Sequence, residues 1–214
     1  MSDVTFLQLI ERVTQDNALA SFPTDTVPAL AAIPHAADKI YATKQRSQEK
    51  PLILMAGESE ALWDYLNGTS EEQAIWRSLM EQYWPGALTL VLPASSFVPI
   101  AMNPQHPGTI GIRIPNHPIA RQILQQTGPL ATTSANRSGQ PALLEMREIA
   151  QAFPQVLQLT DTAIARLNVT AEALNSTGTP STVAKWQGDR WAILRQGAVI
   201  LPQSILQAEP RSIQ

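Results

Sequence analysis

Three cations, Lys44, Arg46 and Lys50, fall within seven residues of the run YATKQRSQEKPLILMAG at 41–57. Lys and Arg side chains are fixed donors carrying positive charge, so three this close together can hold a phosphate or a carboxylate. An apolar run from Leu52 to Ala56 follows at once. A cationic turn feeding a buried strand holds charge at the mouth of a pocket. The plainer reading of the stretch alone is a solvated helix end, where Lys and Arg favour the last turn.

Three further stretches carry polar groups at strand ends or on a strand face. TTSAN at 132–136 puts Thr132, Thr133, Ser134 and Asn136 after an apolar run. Hydroxyls and an amide at the C-terminal end of a strand suit ligand binding in an open α/β sheet. TIGIRI at 109–114 alternates Ile110, Ile112 and Ile114 with Thr109, Gly111 and Arg113. That is period two, so one face is buried and the other presents Thr109 and Arg113 together. An arginine beside a glycine on such a face either binds something or lies on an exposed strand face. PTDTV at 23–27 offers the hydroxyls of Thr24 and Thr26 and the Asp25 carboxylate. It reads as a polar cluster facing a ligand, or as a turn fixed by Pro23 with Asp25 bonding backbone.

Other chemistries lack their residues. The 214-residue chain has no Cys, which removes disulfides, thiol nucleophiles and thiolate zinc sites and fits a reducing compartment. His35, His106 and His117 have no metal-ligand spacing, so no metal ligands are expected. Neither G-x-x-x-x-G-K-[ST], G-x-G-x-x-G nor G-x-S-x-G occurs. A Ser-His-Asp triad stays open without positive support. Net charge is −3, so no bulk attraction to nucleic acid exists and any anion site depends on local cations. With 44% hydrophobic and 15% charged residues, a packed core is expected. No run reaches membrane-spanning length, and acids stand where a signal peptide needs bases. A cytoplasmic protein without a membrane partner is expected.

The elements that position these residues follow from periodicity. Helices are expected over Phe6–Val13, Ala36–Thr43, Glu58–Leu66, Ser70–Tyr83, Pro118–Gln126 and Leu144–Phe153. Ser70 with Gln73 matches a capping box. Strands are expected over Leu19–Phe22, Val27–Ile33, Pro51–Met55, Ala87–Leu92, Thr109–Ile114, Leu130–Ser134, Val156–Leu159, Ser181–Trp186 and Trp191–Leu194. Phe97–Pro107 is a loop, Thr160–Gly178 is unreadable, and the tail past Ile205 frays. Helices and strands interleave without repeat or linker. One α/β or α+β domain over 1–214 is predicted, with a twisted mixed open sheet flanked by helices.

Taken together, these stretches resemble the YrdC-like family of threonylcarbamoyl-AMP synthases, of the single-domain TsaC type. The K-x-R…S-x-N constellation stands here as Lys44-Gln45-Arg46 and Ser134-Ala135-Asn136. PTDT, EKPLIL, WPGALTLVLP, TIGIRIPNHPIA, TTSANRSGQP, PSTV and LRQG match in order, over 19–197. The resemblance implies a YrdC-like fold with a central concave cationic pocket. It implies condensation of L-threonine, bicarbonate and ATP to threonylcarbamoyl-AMP and pyrophosphate, with Mg²⁺ on the nucleotide. The product serves the t6A modification of tRNA, through a downstream threonylcarbamoyl transferase machinery. Residue by residue, it implies Arg46 and Lys50 at the ATP phosphates with Lys44 close by, as the catalytic cations. Thr109 and Ser134 meet the nucleotide, Asn136 orders the same loop, and Arg195 is a late nucleotide contact. Arg113 takes the carboxylate of threonine, with Thr26, Thr132 and Ser181 lining the amino-acid end and Thr24 beside them. No covalent nucleophile is implied.

The chain departs from the family pattern. Pro28 and Ala29 replace an aromatic and a glycine, Ser47 replaces a proline, and Met55 stands where several relatives have histidine. A histidine contact to the amino acid is therefore not expected. Nor is the C-terminal domain of longer relatives. Two rival readings remain: a nucleic-acid-binding module with a weak RNA contact on the same concave surface, and a paralogue with the fold and another activity.

Overall fold

Eight of the short apolar runs pair into one sheet, in the order β10-β9-β5-β6-β4-β7-β3-β2. The computed structural model describes residues 3–169 and 176–206. Along the chain these are β1 (Asp3–Val4), α1 (Phe6–Gln15), β2 (Ala20–Phe22), β3 (Ala29–Ala32), α2 (Ala37–Lys44) and β4 (Ile53–Met55). Then come α3 (Ser70–Tyr83), β5 (Leu88–Pro93), β6 (Thr109–Arg113), α4 (Pro118–Thr127), β7 (Leu130–Ser134) and α5 (Met146–Ala152). The chain continues through β8 (Gln158–Leu159), α6 (Asp161–Ala165), β9 (Thr182–Trp186), β10 (Trp191–Arg195) and α7 (Gln203–Leu206). The sheet is mixed: β4–β6 and β5–β9 are parallel, and the other neighbours are antiparallel. β1 and β8 form a separate parallel pair.

Strand alternation divides the apolar residues between two cores. Leu30, Leu54, Leu88, Leu90, Ile110, Ile112 and Ala184 point to one face, where α2, α3 and the Trp76–Trp186–Trp191 cluster cover them. Ala29, Ala31, Met55 and Leu130 point to the other face, under α1 and α4. That second cover reaches only β2, β3, β7 and β4. The opposite half of the same face, on β6, β5 and β9, is not covered by any helix among the described residues and becomes the floor of a cleft.

Sequence and structure differ in places. α3 is capped by Thr69 with Glu72, one residue before the expected Ser70–Gln73 box. TSEEQ offers both frames, and only the first puts the hydroxyl on the N3 amide. The helix expected over Glu58–Leu66 is a 3₁₀ segment, Ser59–Tyr65, and a 3₁₀ turn, Ile100–Met102, interrupts the Phe97–Pro107 loop. The expected Val27–Ile33 strand pairs only over Ala29–Ala32, and the expected Leu144–Phe153 helix forms only over Met146–Ala152. The expected unreadable stretch contains α6 and lies partly outside the described residues, as does the tail past Leu206.

Candidate active site

Arg113 is the last residue of β6 and is 2% exposed, at the open half of the sheet. Its neighbours in register are Met55 on one side and, two residues before it, Gly111 beside Ile53. Three of its N–H groups are committed. Nε donates to Gly86 O at 3.0 Å, Nη1 to Thr26 Oγ1 at 2.8 Å, and Nη2 to Asp25 Oδ1 at 2.7 Å. A guanidinium carries five N–H, so two remain for a ligand. Burial lowers its pKa from the ordinary value, and the Asp25 charge and hydrogen bond pull it back up.

The PTDT turn folds around that arginine. Thr24 and Thr26 are buried, with hydroxyls 3.1 Å apart, and the Thr24 hydroxyl reaches Val27 O at 2.7 Å. Asp25 Oδ1 also accepts the Asn116 amide at 3.1 Å. Thr177 N–H donates to Asp25 O and Gly178 N–H to Thr26 O, which ties segment 176–181 to the turn.

At the other end lie the cations of α2 and the loop after it. Lys44, the last residue of α2, is 1% exposed and turned inward. It donates to Thr133 Oγ1 at 3.2 Å, to Asn136 Oδ1 at 3.3 Å and to Ser134 O. Three ammonium hydrogens meet three neutral acceptors, and Lys44 thereby anchors the S-x-N loop. Burial first, then the charges of Arg46 and Lys50, lower its pKa to about 7. In the same loop, Ser134 Oγ donates to Asn136 Oδ1 at 2.6 Å, and Asn136 Nδ2 donates to Arg137 O and Gln140 O. Gln45 adopts a left-handed conformation with φ 51° and reverses the chain. Arg46 then closes the following turn, donating from Nε to Lys50 O and from Nη2 to Pro51 O, both at 3.1 Å.

The third wall comes from β9 and β10. Arg195 donates to Ser181 O from Nε at 3.1 Å and from Nη2 at 2.8 Å, and Nη2 lies 3.2 Å from Ser181 Oγ. Ser181 Oγ in turn shares a hydrogen with Thr89 Oγ1 at 2.8 Å. Burial lowers the pKa of both Arg46 and Arg195 from the ordinary arginine value.

These walls enclose a cleft of about 290 Å³ lined by Thr26, Arg46, Arg113, Thr132, Ser134, Asn136, Ser181 and Arg195, with Ile53, Met55 and Pro180 among its apolar parts. An adjoining cleft of about 380 Å³ shares Arg46 and Arg195 and includes Thr109, Gly111 and Lys185. The sequence-selected residues are thus brought together, with exceptions. Thr109 faces the adjoining cleft. Thr24 and Lys44 stand behind the wall, and Lys50 is exposed outside it. Thr132 gives its hydroxyl hydrogen to Ile53 O at 2.9 Å, so toward a ligand it can only accept. Sequence reasoning did not identify Asp25 as the partner of Arg113, nor Gly86 O and Thr89. The TDT and WPG stretches signal turns, and nothing local in them points to residues 88 and 27 positions away.

Comparison with known proteins gives one family. The Sua5_yciO_yrdC family model, described as "Telomere recombination", matches residues 12–197. The threonylcarbamoyl-AMP synthase of Bacillus subtilis (strain 168) is 34% identical over 196 residues, covering 88% of this chain and 52% of that protein. The threonylcarbamoyl-AMP synthase of Chromohalobacter salexigens is 32% identical over 151 residues, covering 69% of this chain and 80% of that one. The crystal structure of P. abyssi Sua5 complexed with L-threonine superposes with a TM-score of 0.75 at 27% identity, covering 91% of this chain and 55% of that chain. The chain spans about half the length of the Bacillus and P. abyssi relatives.

Proposed function

The chain belongs to the Sua5, YciO and YrdC family, and from that premise we propose that it condenses L-threonine, bicarbonate and ATP to threonylcarbamoyl-AMP and pyrophosphate, for t6A modification of tRNA. One observation carries the reading. A single cleft joins two arginines that form no ion pair among the described residues, Arg46 and Arg195, to an arginine bonded to a hydroxyl and backed by a carboxylate, Arg113. The first pair suits the charge of a triphosphate. The second end suits an amino acid carboxylate, which the two uncommitted N–H groups of Arg113 receive.

The chemistry joins anions. The free amine of threonine adds to carbon dioxide drawn from bicarbonate, forming an N–C bond and losing a proton to solvent. The resulting N-carboxylate attacks the α-phosphorus of ATP, the bond to the β-phosphate bridging oxygen breaks, and pyrophosphate leaves. Arg46 and Arg195 hold the phosphates against the incoming carboxylate, and Ser134 and Asn136 fix the loop beside them. Arg113, Thr26, Thr132 and Ser181 orient the amino acid, so the acceleration is positioning and charge neutralisation. Lys44 acts by anchoring the S-x-N loop, and Lys50 adds positive charge outside the cleft. Thr109 contributes from the adjoining cleft. Mg²⁺ enters as part of the nucleotide substrate and supplies charge neutralisation at the triphosphate. Among the described residues, no cluster of three or more His, Asp and Glu stands ready to hold a metal.

No helix among the described residues is long and apolar enough to cross a membrane. A cytoplasmic site of action, delivery of the product to a threonylcarbamoyl transferase and at most a weak RNA contact belong to the same proposal. The test is pyrophosphate release with each substrate omitted in turn. Release is expected only with all three present. Threonine-independent release would replace this reading with that of a different nucleotide hydrolase, and salt-dependent RNA binding without turnover would favour the nucleic-acid module.

A further inference from the structure

Arg113 differs from the other arginines of the cleft in its partner. Arg46 donates to the carbonyls of Lys50 and Pro51, and Arg195 to the carbonyl and hydroxyl of Ser181. Neither forms an ion pair among the described residues. Arg113 does, with Asp25 Oδ1 at 2.7 Å, and both side chains are withdrawn from solvent. The Asp25 carboxylate is held firmly. It accepts the Asn116 amide, and its backbone oxygen accepts the Thr177 amide at 3.2 Å.

A cleft that admits both a triphosphate and an amino acid has a sorting problem. A bare guanidinium at low dielectric attracts the most highly charged anion within reach. With every arginine bare, the polyphosphate would compete for all of them. A neighbouring carboxylate changes the balance at one. It cancels the net charge of Arg113 and keeps the guanidinium plane fixed, while two N–H groups stay free to bond an incoming oxygen.

We infer that Asp25 is the specificity-determining residue of the amino-acid end: it orients Arg113 and cancels its charge, so that this arginine accepts a monocarboxylate and rejects polyphosphate. Asp25 is absent from the cleft lining and acts through Arg113, as a positioning residue. The inference rests on the proposed function and names what keeps its two substrate ends distinct. It is discrimination by an internal repulsion, placed against the wrong ligand.

Inorganic pyrophosphate, the product of the proposed reaction, is the probe. With the wild-type protein it should inhibit competitively against ATP and non-competitively against threonine. Asp25→Asn should bring in competition against threonine, with an inhibition constant lower by about tenfold or more and an ATP KM within about twofold of wild type. Asp25→Glu, which retains the charge, should keep the wild-type pattern. A folded Asp25→Asn protein with the wild-type pattern overturns the proposal. So does a parallel rise in both KM values without new competition, which a purely structural role would give. Competition against threonine in the wild-type protein also overturns it, and that arm needs no variant to fold. Should wild type release no pyrophosphate in response to threonine, the functional reading fails by itself. Calorimetry then decides the sorting role: pyrophosphate should occupy one site in wild type and two in Asp25→Asn, and equal stoichiometry would refute it.

Discussion

Thr24 gives its hydroxyl hydrogen to Val27 O at 2.7 Å, which leaves Thr26 as the donor in the 3.1 Å contact between the two threonine hydroxyls. A carbonyl only accepts, so the direction is forced. Thr26 meanwhile accepts from Arg113 Nη1 at 2.8 Å. The result is a one-way chain from guanidinium to Thr26 to Thr24 to backbone, in which each bond polarises the next.

Breaking the chain at its middle should tell on one substrate only. Thr26→Val removes an acceptor and a donor that are both buried, at a cost of about 1–3 kcal/mol in stability. The threonine KM should rise by about tenfold while the ATP KM holds. Thr26→Ser should restore both. Substrate titrations on the three proteins, with denaturant melts alongside, provide the check.

Arg113→Lys keeps the charge and loses the plane. The three directions served by Nε, Nη1 and Nη2, toward Gly86 O, Thr26 and Asp25, cannot all be met by one ammonium while it also faces a carboxylate. The threonine KM should rise about tenfold or more, with ATP affinity changed much less. The reverse pattern would assign Arg113 to phosphate.

Arg46→Ala addresses the opposite end. Among the described residues Arg46 bonds only backbone carbonyls of its own turn, so the fold should survive its loss. A charge-assisted contact to phosphate contributes about 1.5–3 kcal/mol, so the ATP KM should rise about ten- to hundredfold. Wild-type ATP kinetics in the folded variant would remove Arg46 from the phosphate site.

Lys44 predicts a pH dependence with two opposed signs. Its pKa is near 7 in the fold against 10.5 ordinarily, so between these values the unfolded chain binds more protons. Its contribution to stability should therefore rise with pH from about 7 to about 10.5, and below 7 its full burial penalty is carried. Anchoring of the S-x-N loop needs the ammonium, which the folded protein loses as pH rises through about 7, so the ATP KM should worsen across that step and then level off. Lys44→Met should flatten the stability slope and weaken ATP at all pH. Thermal melts and ATP titrations across pH 6–10 measure both.

Gly197 lies where a side chain has no room. A Cβ there would stand 2.2 Å from Pro180 O and 2.5 Å from Ser181 O. Those two residues form the cleft wall to which Arg195 is bonded. Gly197→Ala should lower the melting temperature by several degrees, at about 1–3 kcal/mol, and reduce turnover through the displaced wall. An unchanged melt would mean that the loop yields without cost.

Much of this was legible where the signal is local. Alternation in TIGIR fixed which residues share a face, and Arg113 and Gly111 are on the side expected. The strand ending in Ser134 and the helix delivering Lys44 form as their patterns imply. What was not legible depends on long-range closure. Lys44 reads as a cation at a pocket mouth or a helix end, yet its acceptors are 89–92 residues away and draw it inside. Asp25 reads as an ordinary turn aspartate because its partner is 88 residues distant. The helix expected over Glu58–Leu66 failed for another reason: its apolar spacing also fits the tighter 3₁₀ turn that forms.

Those same distances have a consequence for how the protein comes apart. Lys44 to Ser134, Asp25 to Arg113 and Thr26 to Ser176 close loops of 90, 88 and 150 residues. No fragment of the chain contains the binding groups in a usable arrangement, so competence to bind arrives only with the complete sheet. Ligand occupancy and global unfolding are then one linked equilibrium. Each tenfold of ATP or threonine above its Kd should resist denaturation of the entire chain by about 1.4 kcal/mol, whichever end it occupies.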